Sequence, residues 1–381
     1  MFLLGAGTWA KAAQQDLADE TDKVSQEEQQ QMQQELLSGL DFSGVQDSLN
    51  EILGKNNFSF GQAVKDLLTG KIPITLENLG EIVKNALFQE IGSYRKTAAY
   101  LLVIIIASAV FMNFVTVFDK GQIADISYYM MYLLMVTLLM KVFSSMTQVA
   151  QGAVSSVLTF MEAMLPVCIA AIYLVTGSLT AMGFYQLTLL AVTGVQWMMN
   201  YVLLPAVQIY VILLFINQMM KEDYLSKMAE LVKTAILWAL KTMIALLFGM
   251  QAIQTMIAPT VDQMKTSVVN KAVSVIPGIG NAYEMVAETV LGSALLLKNA
   301  VGIAGVVSLV FLCLIPVAKL VCGVLLYRTL GAVAQPVTDK RVAECIDSVA
   351  EGGELLLKIV LYAGILFIVS LAMITVMVRG R

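Results

Sequence analysis

Thirty-nine consecutive residues, Met182 to Met220, carry no charge, and this run limits the fold more than any other feature of the chain. About 20 apolar residues suffice to cross a bilayer as a helix, and 39 allow one long kinked helix or two spans breaking near Asn200 to Pro205. Other runs accompany it. Thr97 to Phe118 is uncharged, Ile126 to Met146 is interrupted only by Lys141, and Val157 to Val175 contains Glu162 and Pro166. Thr234 to Gln254 carries Lys241, Val301 to Leu326 carries Pro316 and Lys319, and Leu355 to Val378 closes the series. The expectation is an all-α polytopic membrane protein with seven or eight membrane segments. With 58% apolar and 14% charged residues, a water-soluble fold would expose more apolar surface than such folds tolerate.

Charge divides the chain near Lys96. Residues 1–96 hold 14 of the 28 acidic residues and 8 of the 24 basic ones, a net of −6, whereas the remainder is +2. The N-terminal part reads as a water-facing region. Residues 1–13 resemble a signal remnant, with an A-x-A pattern at Ala10–Ala12, which would put residues 14–96 outside the cytoplasm. Within it, Gln62 to Leu68 and Leu76 to Ile91 show short amphipathic helical faces. The overall charge of −4 lacks the basic stripe that nucleic acid requires.

No histidine occurs in the sequence, which removes imidazole acid–base chemistry, Ser-His and Cys-His nucleophiles and imidazole metal sites. The four cysteines form no C-x-x-C pair, and three lie in apolar runs, where cysteine packs as a small hydrophobe. No glycine motif for phosphate binding is present. These observations point to no enzyme, no cofactor and no metal.

Four of the seven prolines form two pairs at a constant offset of 111: Pro166 with Pro277, and Pro205 with Pro316. The same offset superimposes Gly194-Val195 on Gly305-Val306 and Leu203-Leu204-Pro205 on Leu314-Ile315-Pro316. Both copies continue into an amphipathic stretch, one with Leu225, Met228, Ala229 and Val232, the other with Val342, Cys345, Ile346 and Val349. Residues 157–255 and 268–378 are therefore read as a tandem duplication, following a first pair of spans in 97–150. Chance matching of apolar helices is the competing account. Duplicated halves with proline-broken or re-entrant helices are a device by which transporters build a midplane site. Pro166, Pro205, Pro277 and Pro316, with Gly278 and Gly280 in the turn after Pro277, are the path or hinge candidates. Equally, they could be kinks in a bundle that transports nothing.

Charges within or beside the spans form a second set: Lys141, Glu162, Lys241, Lys298 and Lys319, with Glu284 and Glu288 one helical turn apart. A charge at bilayer depth costs about 2.5–3.5 kcal/mol on insertion scales, so each has a partner, a role or a route to the headgroups. Snorkelling is the alternative for the lysines.

The stretch Val275 to Val306 resembles the stage III sporulation protein AE family of endospore-forming Firmicutes. The likeness rests on Ile276-Pro277, Gly280, Leu295-Leu296-Leu297-Lys298-Asn299 and Val301-Gly302-Ile303-Ala304-Gly305-Val306, and continues through Pro316, Lys319, Tyr327 and Gln335-Pro336. This resemblance implies a multi-pass subunit of the channel complex in the mother-cell membrane around the forespore. Other stage III membrane subunits, a secretion-type ATPase and ring-forming proteins are the partners it implies. The expected role is a transporter-like or channel-core subunit, the alternative a platform that anchors other subunits and conducts nothing.

Overall fold

A computed structural model describes residues 31–53, 58–70, parts of 99–110, 122–176, 180–220, 222–273, 280–338 and 340–376. Every regular element among them is helical. After a helical stretch at 31–38 come two short helices, α1 (Ser43–Leu53) and α2 (Phe60–Leu68). The long elements follow: α3 (Gln122–Thr176), α4 (Thr180–Met198), a π-helical turn (Met199–Leu203), α5 (Leu204–Met219), α6 (Ser226–Val273), α7 (Gly280–Ala334) and α8 (Lys340–Val376). Among the described residues, five stretches are long and apolar enough to cross a membrane: Tyr129–Leu174, Gln186–Met219, Ser226–Met250, Gly292–Ala334 and Lys340–Ala372. In lipid only internally hydrogen-bonded backbone is tolerated, and such sequences therefore stay helical throughout.

That constraint corrects two expectations. The spans foreseen at Ile126–Met146 and Val157–Val175 are one 55-residue helix, α3, because nothing between them offers the backbone another way to satisfy its polar groups. Nor do Pro166 and Pro316 break their helices; α3 and α7 continue through both. Each proline forfeits one donor to the carbonyl four residues earlier, a smaller loss than unwinding a turn in lipid. Met182–Met220 follows the single-helix alternative: α4 and α5 are continuous through the π turn just before Pro205. The segment at 262–298 consists of the end of α6 and the start of α7, with 274–279, including Pro277 and Gly278, outside the described residues. Residues 1–30, and most of 71–121 with the first expected span, also lie outside them.

Contacts fix the helix directions. Tyr132, early in α3, meets Phe215 near the end of α5 and Cys345 near the start of α8. Farther along α3, Met146 packs on Gly353 and Met164 on Gly305, whose other neighbour is Leu371 of α8. Hence α3 and α8 run parallel, and α7 returns antiparallel between them. The α5–α6 and α7–α8 turns both lie at the end where α3 begins. Glycine permits the close approach of α8. A methyl added at Gly352 would meet Val211 and come within 2.7 Å of Phe143; one at Gly353 would stand 2.6 Å from Met146 and 2.9 Å from Val324.

Helices α1 and α2 wrap the opposite end of this bundle. Val45, Leu49, Phe60, Ala63 and Val64 are buried, whereas Asp47, Gln62 and Lys65 face outward. Gln46 ties the pair together, donating to the Phe58 carbonyl at 2.9 Å and accepting from the Phe60 amide at 2.8 Å. A Cβ added at Gly44 would lie 3.9 Å from Ala163 of α3, and the Phe58 ring lies 5.9 Å from that of Phe311 in α7.

Candidate functional site

Among the described residues, the richest polar cluster lies between the two hairpins, on the first four turns of α8. There Val342, Cys345, Ile346, Val349 and Ala350 turn inward, and the acids Asp347, Glu351 and Glu354 recur at helical spacing along another face. Glu351 Oε2 accepts from the Tyr210 hydroxyl of α5 at 2.6 Å and from Lys233 Nζ of α6 at 3.1 Å. The Lys233 ammonium also lies 5.7 Å from the centre of the Tyr210 ring. One carboxylate thus links three helices. Arg328 of α7 places Nη2 2.5 Å and Nε 3.2 Å from Glu354 Oε1, with Nη1 3.5 Å from Asp347 Oδ1.

These groups are half-exposed; the side chains of Lys233 and Glu351 retain 39% and 33% of their accessibility. A pair in such a setting contributes about 0–1 kcal/mol, so the cluster acts more by fixing the mutual register of the hairpins than by holding the fold. Neighbouring contacts serve the same end. The Tyr132 hydroxyl donates to the Phe215 carbonyl at 2.6 Å and lies 2.8 Å from Cys345 Sγ. In the α5–α6 turn, Asn217 donates to Asp223 Oδ1 at 2.8 Å and accepts from the Leu225 amide at 2.8 Å. Donation from Asn217, and then from Ser226, holds the Asp223 carboxyl below the usual range, and Glu222 pushes the Tyr224 phenol up.

Among the described residues, those singled out from sequence do not gather into a site. Pro166, Pro205, Glu162, Lys141 and Lys241 are exposed on the outer faces of their helices, Pro316 and Lys319 are half-buried, and Lys298 is buried within α7. Gly280 is the first residue of α7; the side chains of Glu284 and Glu288 lie outside the described set. The π turn beside Pro205 does hold one unusual group, Asn200, whose Oδ1 is buried and accepts no hydrogen bond among the described residues. An apolar groove of about 420 Å³ runs between α4 and α6 past Gly194, Met198, Trp238 and Leu246. Its one hydroxyl, that of Thr242, already donates to the Trp238 carbonyl, so the groove offers a hydrophilic solute little to hold. Sequence reasoning missed Tyr210, Asp347, Glu351 and Glu354, although the spacing of the three acids opposite an apolar stripe was a usable signal.

The sequence profile of the family described as Stage III sporulation protein AE matches residues 58–378. A curated protein of Bacillus subtilis (strain 168), Stage III sporulation protein AE, is 22% identical over 289 residues, covering 76% of this chain and 72% of that protein. No solved structure matches.

Proposed function

The chain belongs to the stage III sporulation protein AE family, and from that premise we propose that this sporulation membrane subunit is a platform that assembles other stage III subunits. The observation that carries this reading is the outward position of Pro166 and Pro205. Prolines lining a conduit would converge on a polar cavity; these two face away from the packed interior. That interior is closed by Phe143, Met146, Met164 and Val324 against the glycines of α7 and α8. A bundle filled in this way is a rigid body suited to presenting surfaces. Other stage III membrane subunits are the proposed partners, with a secretion-type ATPase and ring-forming proteins further out, in the mother-cell membrane around the forespore. We also retain the tandem reading of residues 157–255 and 268–378. Its support is that α4–α5 and α7 each lead into a turn at the same end and are each followed by an antiparallel helix.

The test combines Lys233→Met with Glu351→Gln in sporulating cells and measures both spore yield and co-purification of other stage III membrane subunits. A platform loses both together, because the register of its hairpins sets the docking surface. Loss of spores with the complex intact would favour the channel-core reading instead. That second reading draws on Asn200, an amide oxygen buried beside a π turn inside a candidate span. A cysteine at Tyr201 or Val202 that reacts with small aqueous thiol reagents in the assembled complex would support it.

A further inference from the structure

We infer that α1 and α2 form a collar seated in the lipid headgroup layer, on the membrane face opposite the two hairpin turns. The inference goes beyond the platform reading and does not depend on it. The charged cluster of α8 marks one depth in the bundle, because lipid would not tolerate Lys233, Arg328, Asp347, Glu351 and Glu354 at its centre. Phe143 lies at that depth, against the position beside Glu351. Twenty residues farther along α3, Ala163 faces Gly44 of α1, 3.9 Å from where a Cβ there would sit; at 1.5 Å per residue the separation is about 30 Å. Helix α7 gives an independent value. Phe311, which packs on Phe58, precedes Arg328 by seventeen residues, or about 25 Å. Both agree with the hydrocarbon thickness of about 30 Å.

The exposed charges of α3 fall at the same two depths. Lys141 lies beside the charged cluster and Glu162 beside the collar, twenty-one residues apart. Lys241 and Lys358 follow Lys233 and Glu351 by only eight and seven residues, and helical side chains lean toward the N-terminus, so both reach back to the turn side. A bilayer centred on Ala163 would instead submerge Asp47 and Lys65 at about 2.5–3.5 kcal/mol each. Chain parity agrees. Helix α2 lies at the collar face and α3 begins at the turn face, and the intervening sequence contains one uncharged run of crossing length, Thr97 to Phe118.

The single substitutions Gln62→Cys and Lys227→Cys, both at exposed positions, test the assignment in the full chain, with the parent protein giving the background of its native thiols. A membrane-impermeant maleimide applied to intact protoplasts should modify one introduced thiol, and the other only after permeabilisation, each difference at least tenfold. Modification of both under the same condition overturns the proposal. A fluorophore attached to the thiol of the Gln62→Cys protein, in vesicles of phosphatidylethanolamine and phosphatidylglycerol, reads the depth. Nitroxide-labelled headgroups should quench it several-fold more than nitroxides at mid-chain. Quenching by neither, or better quenching by the mid-chain label, removes the collar from the headgroup layer.

Discussion

Glu351 Oε2 stands 3.1 Å from Lys233 Nζ across 118 residues of sequence, and it takes the Tyr210 hydroxyl as well. A single carboxylate on α8 therefore reads the position of both helices of the other hairpin. Its two donors make it the more sensitive partner. Glu351→Leu should lower stability more than Lys233→Met, since it removes the acceptor of both bonds whereas the second leaves the hydroxyl bond in place. In a double-mutant cycle the Lys233–Glu351 coupling should come to about 0.5–1 kcal/mol, a value already discounted for exposure. Thermal unfolding of the four proteins in nanodiscs measures it; a coupling near zero would mean that hairpin register is set by apolar packing alone.

Much of this architecture was legible in the sequence and some was not, for physical reasons. Charge-free runs identify membrane helices because the bilayer leaves the backbone little choice. The stripe of Val342, Cys345, Ile346 and Val349 is buried as its spacing predicts, and so are Ala63 and Val64 of α2. The polar cluster was hidden, because Tyr210 and Glu351 are 141 residues apart and each alone looks like an ordinary interfacial residue. The breaks expected at Pro166 and Pro316 are absent for the opposite reason. A rule learned in water overstates what proline does to a helix that has no solvent to unwind into.

Gly352 should be intolerant of even one added carbon. The new methyl would meet Val211 and lie 2.7 Å from Phe143 Cε2, with both neighbours buried. Gly352→Ala is expected to destabilise by about 1–3 kcal/mol, the usual range for overpacking. Gly152 in α3 has nothing within 4 Å of an added Cβ, so Gly152→Ala should stabilise by about 0.5–1 kcal/mol through reduced backbone entropy. Unfolding midpoints of the two variants moving in opposite directions would verify the close approach of α8.

Acid should loosen the α5–α6 turn. Asp223 has a folded-state pKa below its ordinary value of 3.8, chiefly through donation by Asn217. The sign follows from linkage: the contribution is fully present above 3.8 and is lost as pH falls through the lower folded value. Protonation frees the Asn217 amide, whose oxygen holds the Leu225 N–H. Exchange of the Leu225 amide, corrected for its intrinsic rate, should therefore rise as the pH falls below 3.8. Asp223→Asn should abolish that step, and a step that survives the substitution would assign it to another group.

Asn200 carries the sharpest consequence for assembly. Its buried Oδ1 accepts no hydrogen bond among the described residues, beside a π turn and inside a charge-free stretch. Such an oxygen in an apolar setting costs about 1–3 kcal/mol, and leucine has nearly the same shape without the penalty. In the isolated subunit, Asn200→Leu should raise stability by that amount. Within the assembled complex the same substitution distinguishes two situations. If the gain persists, the oxygen stays unsatisfied in the working state and the residue is tolerated rather than used. If the gain disappears, or spore formation falls while the isolated subunit is stabilised, a donor reaches Asn200 on assembly. The π turn would then be the part of the bundle that rearranges to admit it, because a shift of one residue in its hydrogen-bond register turns the side chain outward without breaking the helix.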